Sequence, residues 1–443
     1  MRAGCLGVLA VAACVRSASV ACDDGTVCPE GTRCIAGGCR SLACGDGRLD
    51  LDLGEACDDK NHHSHDGCSS LCRIEAPVWH AYGGAHPPAR VFAAAAWEAD
   101  AGRGILVGGE GEGDPGPTLS DVWVWTAADG WQPGTLGPPA LENAALAPDG
   151  VGHVVLIGGW DKTVAVPHCW RWDGAAWTSC DATLPFVVID GALAQSPVRG
   201  EVIGHGGDDQ ANGAQAARTL RWDGEAPWTS DTSEAPRRLR HAMIYEAAQH
   251  RVVMAGGLVD GQRQTLTFNG MWTQLEFALE REYLMLGYDA DRTHAVTFGG
   301  ERVEATEEVF GDVHELIADE WRALAVAGDG PFPRVGGVLF HDAIGHQVVL
   351  FGGQSGVDFT VNDPLPDTWL LRWESDPATP EDTCDGSDAD GDGVVGCEDP
   401  DCWARCTPHC PFGAVCDPGE PQCGDGACNP ALEDHALCPQ DCP

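Results

Sequence analysis

Val154-Val155-Leu156-Ile157-Gly158-Gly159, followed after a polar loop by Trp172-Asp173-Gly174-Ala175-Ala176-Trp177, contains in miniature the architecture of much of this 443-residue chain. Four consecutive apolar residues ending at a glycine doublet suit a buried strand with a sharp exit. Asp-Gly between two tryptophans suits a tight hairpin, because both residues tolerate positive φ. The same grammar recurs at intervals of about fifty residues. Doublets stand at Gly108/Gly109, Gly158/Gly159, Gly206/Gly207, Gly256/Gly257, Gly299/Gly300 and Gly352/Gly353. Aromatic pairs follow at Trp125 and Trp131, Trp172 and Trp177, Trp222 and Trp228, and Phe268 and Trp272, with Asp129-Gly130, Asp223-Gly224 and Asn269-Gly270 as further turns. A unit copied six times at this spacing, with room for four strands in each copy, predicts an all-β, six-bladed propeller.

The copies are not perfect. Gly204-His205 places a polar break before the third doublet, and Leu316 stands where an aromatic is expected before Trp321. The sixth copy reaches its third strand at Trp369 to Trp373 and then lacks its tryptophan strand, whereas Val78-Trp79-His80 is such a strand without a doublet before it. Placing it in the last blade ties the ring shut and leaves no open sheet edge between its ends. The pattern of double glycine and two spaced aromatics resembles the kelch repeat, over roughly Val78 to Glu374, and that resemblance implies a kelch-type propeller.

Five segments follow. Residues 1–21 run from Met1-Arg2 through a small apolar stretch to Ser19-Val20-Ala21 and read as an export signal, cleaved after Ala21 or lipidated at Cys14, where Val11-Ala12-Ala13-Cys14 resembles a bacterial lipobox. Residues 22–76 form a cysteine-rich module, 77–376 the propeller, 377–383 a linker and 384–443 a second cysteine-rich module. The half-cystine counts of the three parts are even, which suits disulfides in an oxidising compartment. In the propeller, a hairpin register pairing Trp172 with Trp177 also sets Cys169 opposite Cys180 and predicts a cross-strand disulfide. The run from Cys44-Gly45-Asp46-Gly47 through Cys72 resembles the myxobacterial cysteine-rich repeat, a short extracellular module. Such segments lack the large apolar residues needed for a core, so disulfides must hold them. Nearby His62, His63 and His65 read as a solvated loop.

In the second module, Asp388-Ala389-Asp390-Gly391-Asp392-Gly393 places oxygen ligands where calcium loops need them. Asp388, Asp390, Asp392 and the Val394 carbonyl take alternate positions, with Gly393 at the turn and Asp399 at the end. It resembles the loops of dockerin-like and thrombospondin type 3 repeats, and Ca2+ is the expected ion.

Sixty-eight acidic residues against 26 basic ones give a formal net charge of -42, and the two lysines are Lys60 and Lys162. A phosphate backbone is repelled, so nucleic acid and anionic membrane surfaces are excluded as partners; a membrane is reached only through a lipid anchor. Copper-radical oxidases similar to kelch propellers need a cysteine-linked tyrosine, and both propeller cysteines are claimed by the expected disulfide. His80, His153, His205, His241, His294, His341 and His346 are expected as strand or loop residues. No catalytic set is visible in either tail.

Strand alternation puts the second-to-third loops on one face, and three of these run long: 109–121, 207–218 and 353–367. Long loops on a rigid scaffold carry recognition. Glu110, Trp160, Asp161, Asp208, Asp209 and Gln354, just after the doublets, are the candidate ligand residues. Arg90, Arg238 and Arg334, each close behind a proline at the start of an inner strand, are expected on the same face. The resulting expectation is a secreted or lipid-anchored surface protein whose propeller binds protein or glycan without catalysis. An extracellular carbohydrate-active enzyme, with a convergent carboxylate pair on that face, and a calcium-assembled structural coat are the alternatives.

Overall fold

A computed structural model describes residues 55–375 with short breaks at 62, 114, 181–183, 187, 198–199, 208–216, 226, 233–235, 259–263, 304–306 and 356–362. Before residue 55 it describes only short pieces within 20–49. Cys14, the linker, the calcium-type loop from Asp388 to Asp399, Asp208 and Asp209 lie outside the described residues.

The chain is all-β; the only described helix is the 3-10 turn Ala99–Ala101. Short strands β1 (Val20–Ala21), β2 (Val27–Cys28), β3 (Thr32–Ile35) and β4 (Gly38–Ser41) pair as β1-β2 and β3-β4. Six four-stranded antiparallel blades follow. Blade 1 comprises β6 (Ala94–Glu98), β7 (Arg103–Val107), β8 (Val122–Thr126) and β9 (Gly130–Pro133). Blade 2 comprises β10 (Glu142–Pro148), β11 (Val154–Trp160), β12 (Cys169–Trp172) and β13 (Trp177–Ser179). Blade 3 comprises β14 (Ala192–Ser196), β15 (Glu201–His205), β16 (Arg218–Trp222) and β17 (Thr229–Thr232). Blade 4 comprises β18 (Leu239–Glu246), β19 (Arg251–Leu258), β20 (Leu266–Phe268) and β21 (Trp272–Gln274). Blade 5 comprises β22 (Met285–Asp289), β23 (His294–Phe298), β26 (Val313–Ile317) and β27 (Glu320–Leu324), and its long loop carries an inserted hairpin, β24 (Glu301–Val303) with β25 (Glu307–Val309). Blade 6 comprises β28 (Val338–Asp342), β29 (Gln347–Phe351), β30 (Thr368–Ser375) and, as outer strand, β5 (Glu75–Ala81). Leu371 pairs with Trp79 in that closure, so the two ends of the ring share one sheet and neither is left as an open edge.

The polar break in blade 3 does not interrupt its second strand: β15 runs through Gly204 to His205, which is buried. Leu316 pairs with Trp321 as the fifth-blade substitute for an aromatic pair. Trp172 pairs with Trp177, and Cys169 is disulfide-bonded to Cys180. Between blades the core is a stack of second strands such as Ile105–Val107 and Val154–Ile157, buried to within a few per cent, with Trp125, Trp131, Trp172 and Trp373 filling the wedges.

The doublets join the blades. Each second glycine donates its N–H to a carbonyl at the start of the next blade: Gly109 to Leu141, Gly159 to Val188, Gly207 to Arg238, Gly257 to Arg281, Gly300 to Arg334 and Gly353 to Arg90, all at 2.7–2.9 Å. The first glycine of each doublet lies at φ of 66–70°, and at Gly158 a Cβ would collide with the Val188 carbonyl. Glycine is required there for both its conformation and its size.

Disulfides Cys44–Cys72 and Cys57–Cys68 hold the amino-terminal module. It docks where Glu75 accepts the His65 and Gly67 N–H groups, Arg292 donates to the Asp66 carbonyl, and the His65 ring stacks on His346. The three described disulfides mark maturation in an oxidising, extracellular-type environment. No described helix is long and apolar enough to cross a membrane.

Candidate functional site: the long-loop face

The inner strands begin on the long-loop face, and two residues after each seam carbonyl the backbone turns left-handed. The six residues are Phe92, Asn143, Asp190, Arg240, Tyr283 and Gly336, with φ between 51° and 63°. Their backbones form a closed ring of hydrogen bonds: Phe92 N–H donates to the Gly336 carbonyl, Gly336 to Tyr283, Tyr283 to Arg240, Arg240 to Asp190, Asp190 to Asn143 and Asn143 to Phe92, at 2.8–3.3 Å. This girdle surrounds a cavity of about 180 Å³ lined by the inner strands, with alanine, glycine, leucine and methionine on its walls. Because backbone groups close the ring, the side chains at these positions are free to differ.

They do differ. Phe92 and Tyr283 meet with ring centroids 4.9 Å apart above Gly336, where a Cβ would lie 2.8 Å from the Phe92 ring. Arg240 stacks on Tyr283 at 4.9 Å and pairs with Glu282 at 3.0 Å and Asp190 at 3.8 Å. Burial, reinforced by the Asp190 charge, pushes the Tyr283 hydroxyl above its ordinary range, so it stays a neutral donor. The mouth therefore combines two aromatic side chains with three polar ones, a combination that suits a sugar ring or a mixed peptide surface.

Beneath the mouth, the arginines at the seam act as clamps. Arg90 donates to the Gly108 carbonyl and, through both Nη atoms, to Asp121 at 2.7–2.8 Å. Arg281 repeats this with Gly299 and Asp312, and Arg334 with Gly352 and Asp367. Burial acts to raise the three carboxyls, but the arginine hydrogen bonds and charge outweigh it and hold them below 3.8. Arg90 and Arg334 are 1% and 0% exposed, so these two site candidates lie under the face. Arg281 belongs to the same set, and the proline signal that marks the other clamps is absent before it.

Arg238 breaks the pattern. The residue that precedes the third strand, Asp in blades 1, 5 and 6, is Thr265 in blade 4. Arg238 reaches the Gly256 and Gln264 carbonyls through Nη1, while Nε and Nη2 have no partner although the residue is fully buried. In two sister clamps, Nε donates to the carbonyl two residues back, Pro88 or Phe332. Here that carbonyl, on Pro236, is engaged by His205. Desolvation lowers the guanidinium to about 10. Beside it lies His241, which lines the cavity and is held neutral first by burial, with the Arg238 charge acting in the same direction. Burial likewise lowers His205 to about 4. Among the described residues no carboxylate bonds this group. A buried guanidinium without a counterion is strongly destabilised, and an anion held there regains that energy.

The structure brings Glu110 together with the neighbourhood of Asp161: Lys162 pairs with Glu110 at 2.6 Å and with Glu142 at 2.9 Å. Trp160 sits opposite Glu142 in the blade 2 register. Asp161 caps its own turn, accepting the Thr163 and Val164 N–H groups. Gln354 is buried in bridges to Val335 and Pro364. Glu282 and Glu301 oppose each other in a bridge, both buried, next to Tyr283.

No protein-family model and no curated protein matches this chain.

Proposed function

We propose that the propeller is the recognition domain of an exported surface protein, taking a protein or glycan ligand at the long-loop face. The kelch resemblance of the repeats and the rigid girdle beneath a chemically varied mouth support a binding role. The observation that carries the reading is the Arg238 guanidinium, buried beside His241 at the place where sister arginines have an aspartate. A ligand carboxylate, from a uronic or other acidic sugar or from an acidic side chain, supplies the missing partner once the fully buried Arg238 is uncovered beside the cavity-lining His241, while Phe92, Tyr283 and Arg240 cover its body. Export is supported by the signal-like residues 1–21, and calcium remains the expected ion of the carboxyl-terminal module. Binding to the full chain of carboxylate-bearing and neutral glycans and of acidic surface proteins tests the proposal, with products followed in the same wells. Saturable binding of acidic ligands, lost in Arg238→Met and Arg240→Met without loss of fold, is the expected result. Equal binding of neutral counterparts removes Arg238 from the reading.

The Glu282/Glu301 pair is the one observation favouring a carbohydrate-active enzyme. Product formation that disappears in Glu301→Gln would replace adhesion by hydrolysis.

A further inference from the structure

On the opposite face, the first turns of blades 5 and 6 and the docked amino-terminal module converge. Three metal-type donors lie within 4.8 Å of one another there, Asp289 at the end of β22, Asp291 in the β22–β23 turn and His341 near the end of β28, and His346 from the β28–β29 turn reaches Asp291 from outside this set. Asp291 Oδ2 lies 3.1 Å from both His341 Nε2 and His346 Nδ1, and His341 Nε2 lies 3.3 Å from Asp289 Oδ1. Ligand atoms about 2.0–2.1 Å from a tetrahedral ion are about 3.3 Å from one another, and the Asp291–His341, Asp291–His346 and Asp289–His341 separations match that spacing, although the Asp289 oxygen concerned also caps its turn.

The sister turns show what is unusual here. Asp149 and Asp342 occupy the position of Asp289, and each uses one carboxylate oxygen to cap its turn. The other oxygen is satisfied by Arg171 in blade 2 and by Trp125 and Gln347 in blade 6. Asp289 caps its turn in the same way, yet its Oδ2 is buried with no partner, and the whole residue is 1% exposed. Arg292, the nearest cation in the turn, is engaged bidentately by Glu315.

We propose that Asp289, Asp291, His341 and His346 bind one divalent transition ion of the zinc type. Two imidazoles with two carboxylates select such an ion over calcium, which takes oxygen donors. His346 is half exposed and provides the access path, and the His65 ring stacked on it at 5.0 Å fixes its orientation from the amino-terminal module. Loading transfers the His341 ring proton from Nε2 to Nδ1, replacing two contacts with carboxylates by metal bonds and sacrificing the 3.3 Å bond from the Ala290 N–H. The ion thereby ties blade 5 to blade 6 and, through His65, steadies the docked module.

The test is zinc titration of the chelator-stripped full chain by calorimetry, with calcium in excess to saturate any oxygen-only site and cobalt absorption as a report of tetrahedral nitrogen ligation. One equivalent of zinc is expected, weakened at least about tenfold in Asp291→Asn and in His346→Gln. It is unchanged in His86→Gln, an exposed histidine elsewhere. His346 is half exposed, so its variant should fold, and the metal-free unfolding midpoint of each variant, measured beside the titration, separates lost ligation from lost fold. Failure of the parent chain to bind an equivalent of zinc, or unchanged affinity in both ligand variants, overturns the proposal.

Discussion

Replacing Arg334 by Met and Arg238 by Met makes the same chemical change at two equivalent positions, both 0% exposed, yet the consequences should differ. Arg334 makes two bonds to Asp367, one to the Gly352 carbonyl and one to Phe332. Its loss leaves Asp367, whose side chain is 34% exposed, to rehydrate, but strands two carbonyls and removes a charge-assisted pair, together about 3 kcal/mol. Arg238 makes only two bonds, both to neutral carbonyls, worth together about 2 kcal/mol. Against this, removing an uncompensated buried guanidinium relieves a penalty of roughly several kcal/mol, and a thioether chain fills the slot. Arg238→Met should therefore leave stability unchanged or raise it by about 1–2 kcal/mol. At about 2 °C per kcal/mol for a domain of this size, the two variants should melt at least about 6 °C apart. Tryptophan fluorescence during thermal unfolding, in buffer free of carboxylate and phosphate, measures the gap. Equal destabilisation by both changes would mean that Arg238 already has an anionic partner on its own chain, and the argument for a ligand carboxylate would fail.

The clamp aspartates make stability acid-sensitive. Asp121, Asp312 and Asp367 have folded values below 3.8, so their contribution is complete above that pH and is lost as pH falls through the folded values. Urea midpoints should drop steeply below about pH 4, less so in Arg281→Met. Gly158→Ala, forced to φ +66° against a backbone carbonyl, should cost about 2–4 kcal/mol in chemical denaturation. Gly200→Ala, at φ +63° with open space around the Cβ, should cost only about 1–2 kcal/mol. Replacing Cys169 and Cys180 by serine opens an eleven-residue span and should cost about 2–3 kcal/mol, read as a lower midpoint under non-reducing conditions.

The ring was legible because its signals are local and repeated. Doublets, Asp-Gly turns and paired aromatics report backbone conformation directly, and the unpartnered strand at Val78-Trp79-His80 pointed to the closure. The girdle was not legible. Phe92, Asn143, Asp190, Arg240 and Tyr283 share a left-handed φ but no side-chain type, because ring geometry imposes the conformation. Arg90 and Arg334 could be placed beside the inner strands, but proline-arginine steps do not reveal whether a guanidinium faces solvent or a carboxylate 31 to 33 residues on. The inserted hairpin of blade 5 leaves no turn signal of the Asn-Gly kind. His341 and Asp291 lie fifty residues apart, one blade period, and only adjacency of blades 5 and 6 turns that separation into contact.

Six copies of one unit provide an internal control at every position, and this is what gives single departures their meaning. The seams and the girdle are made by backbone N–H and C=O groups, so a blade can change its side chains without opening the ring. Where a change removes one partner of a buried polar pair, however, the remaining partner stays at full desolvation cost. Thr265 in place of aspartate leaves Arg238 in that condition, and the absence of an arginine, tryptophan or glutamine beside Asp289 leaves its Oδ2 likewise. Both departures fall in blades 4 to 6, on opposite faces, and have opposite charge deficits. An anion satisfies the first and a cation the second, so the two sites are chemically separable, and loss of one should leave binding at the other intact.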